Sequence, residues 1–151
     1  MPSAVTALVA CIAGRFSRLL NCACRLTKRD GTFLTTKEIG DLGERIACAW
    51  LRAHGCKVLY RNFRGPKGGE LDIVARDGKV LAFVEVKTRT PPFVGRPLDA
   101  VDKVKQRLIE RGANAWLRLL GTREVPWRFD VAEVLLEEGE KPRVNMVHNA
   151  F

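Results

Sequence analysis

Four charged side chains lie on a predicted hairpin whose other residues are mostly apolar. Residues 68 to 89 read GGELDIVARDGKVLAFVEVKTR, and the four are Glu70, Asp72, Glu85 and Lys87. Neighbouring carboxylates can share one hard divalent ion through their oxygen atoms, and Mg²⁺ prefers such ligands together with water. An ammonium group beside the ion can hold a phosphate oxygen or lower the pKa of an attacking water. The pattern therefore indicates a metal site at Asp72 and Glu85, assisted by Lys87.

The register of the hairpin decides whether these side chains meet. Asp77-Gly78 is a residue pair preferred in two-residue turns, so we expect Asp72 opposite Phe83 and Glu70 opposite Glu85. Side chains alternate along a strand, which places all four charged residues on one face. The other face receives Leu71, Ile73, Val84 and Val86.

The alternative is a solvent-facing polar strand, on which Lys87 pairs with a carboxylate and nothing is catalysed. For any one of the residues taken alone, that interpretation is the better one. For the set, the apolar neighbours Ile73-Val74 and Phe83-Val84 indicate burial on both faces, where unpaired charge is costly. A functional acidic site explains the set better than a solvated surface does.

Local signals predict the elements that position this hairpin. A capping box at residues 35–38 and apolar residues at helical spacing predict a first helix that ends at Gly55. Residues 57–64 are a predicted strand, and residues 65–69 break it. Proline-rich residues 90–97 are a predicted loop. Residues 99–120 form a second predicted helix before Gly121, and residues 128–136 a last strand. The order α-β-β-β-α-β predicts an α/β fold with a mixed β-sheet flanked by α-helices.

Composition narrows the class of partner. The 151 residues suffice for one core, and 26 Lys and Arg against 17 Asp and Glu give a formal net charge of +9. That excess favours polyanionic partners such as nucleic acid. Five cysteines without paired spacing and two histidines argue against a disulfide framework or a zinc site.

Residues 1–34 differ from the remainder of the chain. An apolar run of about ten residues is followed by five basic side chains, an order opposite to that of a signal peptide. Ten residues are too few to span a bilayer. We expect a basic extension, weakly ordered or an amphipathic helix able to contact a membrane surface, and a protein located in the cytoplasm.

Several blocks of the sequence resemble a known family. Asp72 followed by Glu85-x-Lys87 resembles the PD-(D/E)XK motif of restriction-endonuclease-like nucleases. GERIACAWLRAHGCKVLYRNFR, the hairpin segment, AVDKVKQRLI and RFDVAEV resemble, in that order, the bacterial YraN-type family, related to Holliday junction resolvases. The resemblance covers residues 39–151. It implies a restriction-endonuclease-like domain over residues 35–151 that hydrolyses DNA phosphodiester bonds with a metal ion and leaves a 5′-phosphate.

The resemblance also assigns roles by position. Asp72 and Glu85 match the acids that bind Mg²⁺ or Mn²⁺, Lys87 matches the motif lysine, and Glu70 matches the acid that precedes the aspartate. Glu44 matches a glutamate on the first helix. The usual proline before the motif aspartate is replaced here by a leucine, as in this family.

Further positions have weaker assignments. Gln106 and Lys105 match a Lys-Gln pair that orients water or contacts phosphate, although a solvated helix face explains them equally well. Arg128 and Asp130 match an Arg-Phe-Asp element, for which a structural ion pair is the expected role. Basic residues expected to hold a DNA backbone are Arg61, Arg64, Lys67, Arg89, Arg96 and Lys105.

Two questions stay open at this point. Junction resolvases work as dimers, so analogy implies a homodimer. The principal rival to a nuclease is a nucleic-acid-binding protein that keeps the fold without catalysis, and it explains the charge equally well. Binding that survives chelation of metal would favour the rival.

Overall fold

A computed structural model describes residues 18–92, 102–122 and 124–151, which form a mixed five-stranded sheet between two helices. The helices are α1 (Thr36–Ala53) and α2 (Lys103–Leu120). The strands are β1 (Lys57–Arg64), β2 (Glu70–Asp77), β3 (Val80–Arg89), β4 (Trp127–Leu135) and β5 (Arg143–Val147). They are ordered β1-β2-β3-β4-β5, and only the β3–β4 pair is parallel. The predicted α/β class is confirmed and the sheet is consistent with a restriction-endonuclease-like fold, whereas β5 is an additional strand that the predicted order lacked.

Local signals set the ends of the elements as predicted. The Thr35 hydroxyl accepts from the Glu38 backbone N–H at 3.2 Å, and the Glu38 carboxylate accepts from the Thr35 N–H at 2.8 Å. Gly55 (φ +83°) and Gly121 (φ +70°) follow the two helices in left-handed conformation, which glycine adopts without steric cost. Asp102 caps α2 by accepting from the backbone N–H of its third residue at 2.8 Å. The predicted start of that helix at residue 99 and most of the predicted 90–97 loop lie outside the described residues.

The sheet separates two apolar layers. Buried residues of α1 pack on one face against β2 and β3 residues that include Ile73 and Val84. Buried residues of α2 pack on the other face against Val74 and Phe83. Both faces of the central strands are therefore covered, which explains their continuous apolar runs.

The register of the β2–β3 hairpin differs from the predicted one by two residues. The turn consists of Gly78 and Lys79, so Val74 lies opposite Phe83, and Ile73 opposite Val84. The expected pairing of Asp72 with Phe83 is wrong. Apolar residues face apolar residues across this pair, and that packing outweighs the preference of the Asp-Gly pair for the turn.

Side-chain alternation also breaks at Asp72. Leu71 belongs to the layer under α2, although Ile73 belongs to the layer under α1. The expectation that Leu71 and Ile73 share a face is therefore wrong. On β1, opposite this point, Asn62 has a positive φ of 53°, which a regular strand does not contain. The paired irregularities allow both neighbours of Asp72 to be buried.

The segment before α1 packs on the domain. Cys24 and Leu26 are buried, and the Cys24 N–H donates to the Glu140 carbonyl at 2.7 Å. The Leu26 N–H donates to the Glu138 carboxylate at 2.6 Å. Residues 18–34 thus contribute to the α1 side of the core, while the predicted boundary after residue 34 stays a prediction, and residues 1–17 lie outside the described residues. Among the described residues, no helix is long and apolar enough to cross a bilayer.

Candidate active site

Asp72 and Glu85 lie where the β2–β3 ladder ends. The pairing runs as far as Ile73 and Val84, so one further step brings Asp72 opposite Glu85. Asp72 Oδ2 accepts a hydrogen bond from the Val86 backbone N–H at 2.8 Å. The aspartate thus satisfies a backbone donor of β3 with its side chain, and its carboxylate is held beside that strand.

Glu85 is a buried acid of this cluster, and its pKa is strongly raised. Its side chain is 3% exposed, and burial followed by the nearby charge of Asp72 raises its pKa to about 7. Oε1 lies 2.8 Å from Lys87 Nζ and 3.4 Å from Lys105 Nζ. Among the residues that the structure describes, Oε2 is buried without a hydrogen-bond partner. Buried carboxylate oxygens normally have partners, so this atom is free to act as a ligand within the described site.

Lys105 joins the cluster from α2. Its Nζ bonds to Glu70 Oε1 as well as approaching Glu85. Burial opposes the charge, but the hydrogen bond to Glu70 and the carboxylates of Glu85, Asp72 and Glu70 raise the pKa of Lys105. The same hydrogen bond lowers the pKa of Glu70. Lys105, predicted to contact phosphate, therefore already has two carboxylate partners within the cluster.

Close glycine contacts bring α2 to that position. A Cβ on Gly112 would lie 2.8 Å from the Glu70 carbonyl oxygen and from Leu71 Cγ. A Cβ on Gly69 would lie 2.2 Å from the Gly112 backbone N. Backbone packs directly on backbone here, and the sequence reasoning missed both residues. A glycine inside a helical pattern is the available signal for such an approach.

Glu44 enters the site from α1 by a similar contact. A Cβ on Gly43 would lie 1.9 Å from Thr88 Oγ1, so the helix rests directly on β3. Glu44, Val86 and Thr88 line one small cleft of about 270 Å³. Burial first, and the Asp72 carboxylate second, raise the pKa of Glu44, while a hydrogen bond from the Asn62 side chain opposes the increase.

Two of the predicted backbone-binding arginines bind acids of the site. Arg61 Nη2 lies 3.4 Å from Glu44 Oε2, and Arg64 hydrogen-bonds to Glu70. Both arginines remain exposed, so each presents further N–H donors to solvent. They therefore lie at the solvent-exposed edge of the acid cluster and not in its buried interior.

The other predicted binding residues are more scattered. Lys67 is exposed in the turn before β2, and half-buried Arg89 has its Nε 4.0 Å from Glu133 Oε1. Gln106 is half-buried on the first turn of α2, and its role stays a prediction. Arg96 lies outside the described residues.

Arg128 and Asp130 form a separate structural network. Arg128 Nε donates to both Asp130 oxygens at 3.0 and 2.8 Å, which confirms the predicted ion pair. Arg128 Nη2 also donates to Asp77 at 2.9 Å, and His148 Nδ1 lies 3.0 Å from Asp130 Oδ2. This network ties the hairpin turn and the chain end to β4.

The sequence has many close relatives. Residues 43–134 match the family described as uncharacterised protein family UPF0102. A UPF0102 protein of Geobacter metallireducens is 45% identical over 118 residues, which cover 78% of this chain and 95% of that protein. The corresponding values are 46% over 115 residues for Geobacter sulfurreducens, covering 76% and 89%. For Symbiobacterium thermophilum they are 41% over 116 residues, covering 77% and 98%.

This chain belongs to the UPF0102 family. The YraN-type resemblance is thereby confirmed. The segment that matches UPF0102 begins within α1 and runs through α2 to β4. It contains the six predicted catalytic residues Glu44, Glu70, Asp72, Glu85, Lys87 and Gln106.

The donor set of this UPF0102 protein suits a magnesium-type ion. Over the ranges that the structure describes, no group of three or more His, Cys, Asp or Glu side chains could hold a metal by itself. Mg²⁺ is commonly bound through one or two carboxylates, with waters and substrate phosphates completing its shell. Asp72 and Glu85 supply two such carboxylates, and the unpartnered Glu85 Oε2 is a ligand atom of the required kind.

Proposed function

We propose that the protein is a metal-dependent nuclease that hydrolyses phosphodiester bonds in DNA. The observation that carries the proposal is the environment of Glu85: a buried acid with one unpartnered oxygen, next to Asp72 and between two ammonium groups. Carboxylates that need a cation, and cations able to receive an anionic phosphate, occur together in this cluster.

Each side chain of the cluster would have its own role in hydrolysis. Asp72 and Glu85 would hold Mg²⁺ or Mn²⁺, which when bound would polarise the scissile phosphate and favour in-line attack by water. Lys87 Nζ would hold a phosphate oxygen and stabilise the charge that develops on it. Glu70 would keep Lys105 in place. Glu44 would accept a proton from water, a task suited to its raised pKa.

Motif spacing and sheet topology support the same reaction. Asp72 followed by Glu85-x-Lys87 resembles the PD-(D/E)XK motif, and the mixed sheet is consistent with that fold. By analogy with junction resolvases, we expect branched or repair intermediates of DNA as substrates, a homodimer as the active form, and a cytoplasmic location.

A second candidate is a nucleic-acid-binding protein without catalysis. The specific observation in its favour is that Lys87 and Lys105 both approach Glu85 Oε1, so two ammonium groups already offset part of the acidic charge. On this alternative the cluster is structural, and nucleic acid binds through the surrounding arginines. Chelation would then leave binding unchanged.

A cleavage screen separates the two candidates. Branched, flapped, single-stranded and linear DNA are incubated with native protein and Mg²⁺ or Mn²⁺, and in parallel with a chelator. The matched variants are Asp72→Asn and, at an exposed position of α1, Asp41→Asn. We expect cleavage that chelation and Asp72→Asn abolish and Asp41→Asn preserves. The alternative would be established if native protein cleaved none of the substrates and bound DNA equally well with and without the chelator.

A further inference from the structure

A second concave surface lies beside α1 and outside the acid cluster. It is a groove of about 760 Å³ between residues 18–25, α1 and β1, within the usual size range of ligand pockets. Five arginines line this arginine groove, and no acidic residue is among the described residues that do so. The five are Arg18, Arg25, Arg45, Arg52 and Arg61.

Much of this positive charge is uncompensated. Within the described parts of the chain, no carboxylate lies within 4.0 Å of the guanidinium groups of Arg18, Arg25 or Arg45. The arginines come from three separate segments, so their convergence is a property of the fold and not of one charged helix face. A concave surface lined by one sign of charge concentrates the field and attracts ligands of the opposite sign.

A purely structural explanation covers only part of this arrangement. Arginine stems often lie over apolar side chains while the guanidinium stays in water, and Leu42 and Ile46 line the same groove. Such packing accounts for the stems. It does not require five guanidinium groups around one depression without an acid among the described lining residues.

Arg61 connects the arginine groove to the acid cluster. It lines the groove, and its Nη2 lies 3.4 Å from Glu44 Oε2 on the other side. Glu44 in turn lies near Asp72, whose charge contributes to its raised pKa. The arginine groove and the acid cluster are therefore neighbours, joined by the contact between Arg61 and Glu44.

We infer that the arginine groove binds the phosphodiester backbone of a nucleic acid strand that continues from the acid cluster. The inference rests on the proposed function for the class of ligand. Guanidinium groups pair with phosphate oxygens through two parallel hydrogen bonds, and successive phosphates along a strand suit arginines spread over several segments. A membrane surface fits less well. Membrane-surface helices insert exposed apolar side chains into the lipid, whereas Ile46, an apolar lining residue of the groove, is only 1% exposed.

The test measures DNA binding as a function of salt. The variant carries Arg18→Gln, Arg25→Gln and Arg45→Gln, and the control carries Lys57→Gln, Arg76→Gln and Lys79→Gln at exposed positions near the hairpin turn. Labelled duplex DNA is titrated by fluorescence anisotropy in Ca²⁺. Each lost phosphate contact lowers the slope of log Kd against log salt by about 0.9. We expect the slope of the groove variant to be smaller than the native slope by about two to three. We also expect the variant to bind DNA at least about tenfold more weakly near physiological salt.

The control, with the same loss of charge, should retain nearly the native slope. A matched triple replacement by lysine should recover most of the slope, since charge is kept, and melting curves verify that each variant is folded. Equal losses in groove variant and control would overturn the inference. So would unchanged DNA binding together with lost binding to phosphatidylserine vesicles, which would identify a lipid surface as the ligand.

The salt titration and the cleavage screen together separate this inference from the proposed nuclease. Native protein that cleaves no DNA, with a groove variant of reduced slope, would refute the nuclease and retain the groove. Native protein that cleaves DNA, with a groove variant of native slope, would refute the groove and retain the nuclease.

Discussion

Replacing Glu85 by glutamine should make the metal-free protein more stable at alkaline pH. Burial and the Asp72 carboxylate raise the pKa of Glu85 from 4.5 to about 7, so the folded protein disfavours its ionised form. Below about pH 4.5 this carboxyl group is mostly protonated in both the folded and the unfolded protein, and the free energy of unfolding is at its full value. As the pH rises to about 7, the unfolded protein ionises the group more readily than the folded protein does, so the free energy of unfolding decreases progressively. Glutamine has no charge to bury and therefore avoids the loss.

The size of the effect follows from the same values. A rise from 4.5 to about 7, at about 1.4 kcal/mol for each pKa unit, corresponds to about 3 kcal/mol at pH 8. Attraction from Lys87 and Lys105 is already contained in that figure, because both lysines lower the pKa of Glu85. For a domain of this size, about 3 kcal/mol corresponds to roughly 6 to 12 °C in melting temperature.

The assay is urea unfolding of native protein and Glu85→Gln in a chelator at about pH 4.5 and about pH 8. The difference in unfolding free energy between the two proteins should grow by about 3 kcal/mol between these conditions. Glu110→Gln, at an exposed position of α2, controls for the change of charge. A difference that is equal at both pH values would refute the argument that Glu85 is buried against its charge.

Adding magnesium should remove most of this difference at alkaline pH. An ion at a hundredfold excess over its Kd stabilises the folded state by about 2.7 kcal/mol, and only the native carboxylate pair offers its full site. Native protein should therefore gain stability on addition of Mg²⁺ while Glu85→Gln gains little. Equal gains in both proteins would place the ion elsewhere.

Three further predictions concern the surroundings of the acids. Lys87→Ala should bind DNA in Ca²⁺ within a few-fold of native protein but cleave it roughly 10²-fold more slowly. Lys87→Arg should not fully restore the rate, and an equal loss in binding and cleavage would contradict a role of Lys87 in turnover. Gly43→Ala should destabilise by about 1 to 3 kcal/mol in thermal unfolding, because its Cβ would overlap the neighbouring β3 threonine, whereas Gly40→Ala, with nothing within 4 Å, should stabilise by up to about 1 kcal/mol. Lys67→Ala with Arg89→Ala should flatten the salt dependence of DNA binding by about two; a native slope would place the phosphate contacts elsewhere.

Local chemistry in the sequence determined most of the element boundaries. The capping box at Thr35 and Glu38 and the left-handed Gly55 act within a few residues, so they could be recognised without knowledge of the fold. The bounds of β1 and the end of α2 followed for the same reason. That Asp72, Glu85 and Lys87 belong together also followed from strand periodicity, because a register shift of two residues leaves each of these side chains on its face. The break in alternation at Asp72 means that periodicity alone did not determine the position of Glu70.

Tertiary packing decided how those residues are arranged. The apolar pairing of Val74 with Phe83 set the register and moved Asp72 opposite Glu85, against the local preference of the turn. The backbone contact at Gly112 brought Lys105 to Glu70, which lies 35 residues earlier in the sequence. Burial of Glu85, which raises its pKa and leaves Oε2 without a partner, arises only when both helices and β4 cover the strand. Such effects depend on contacts between distant segments. The apolar neighbours of Glu85 indicated its burial, but no local pattern in the chain encodes its partners.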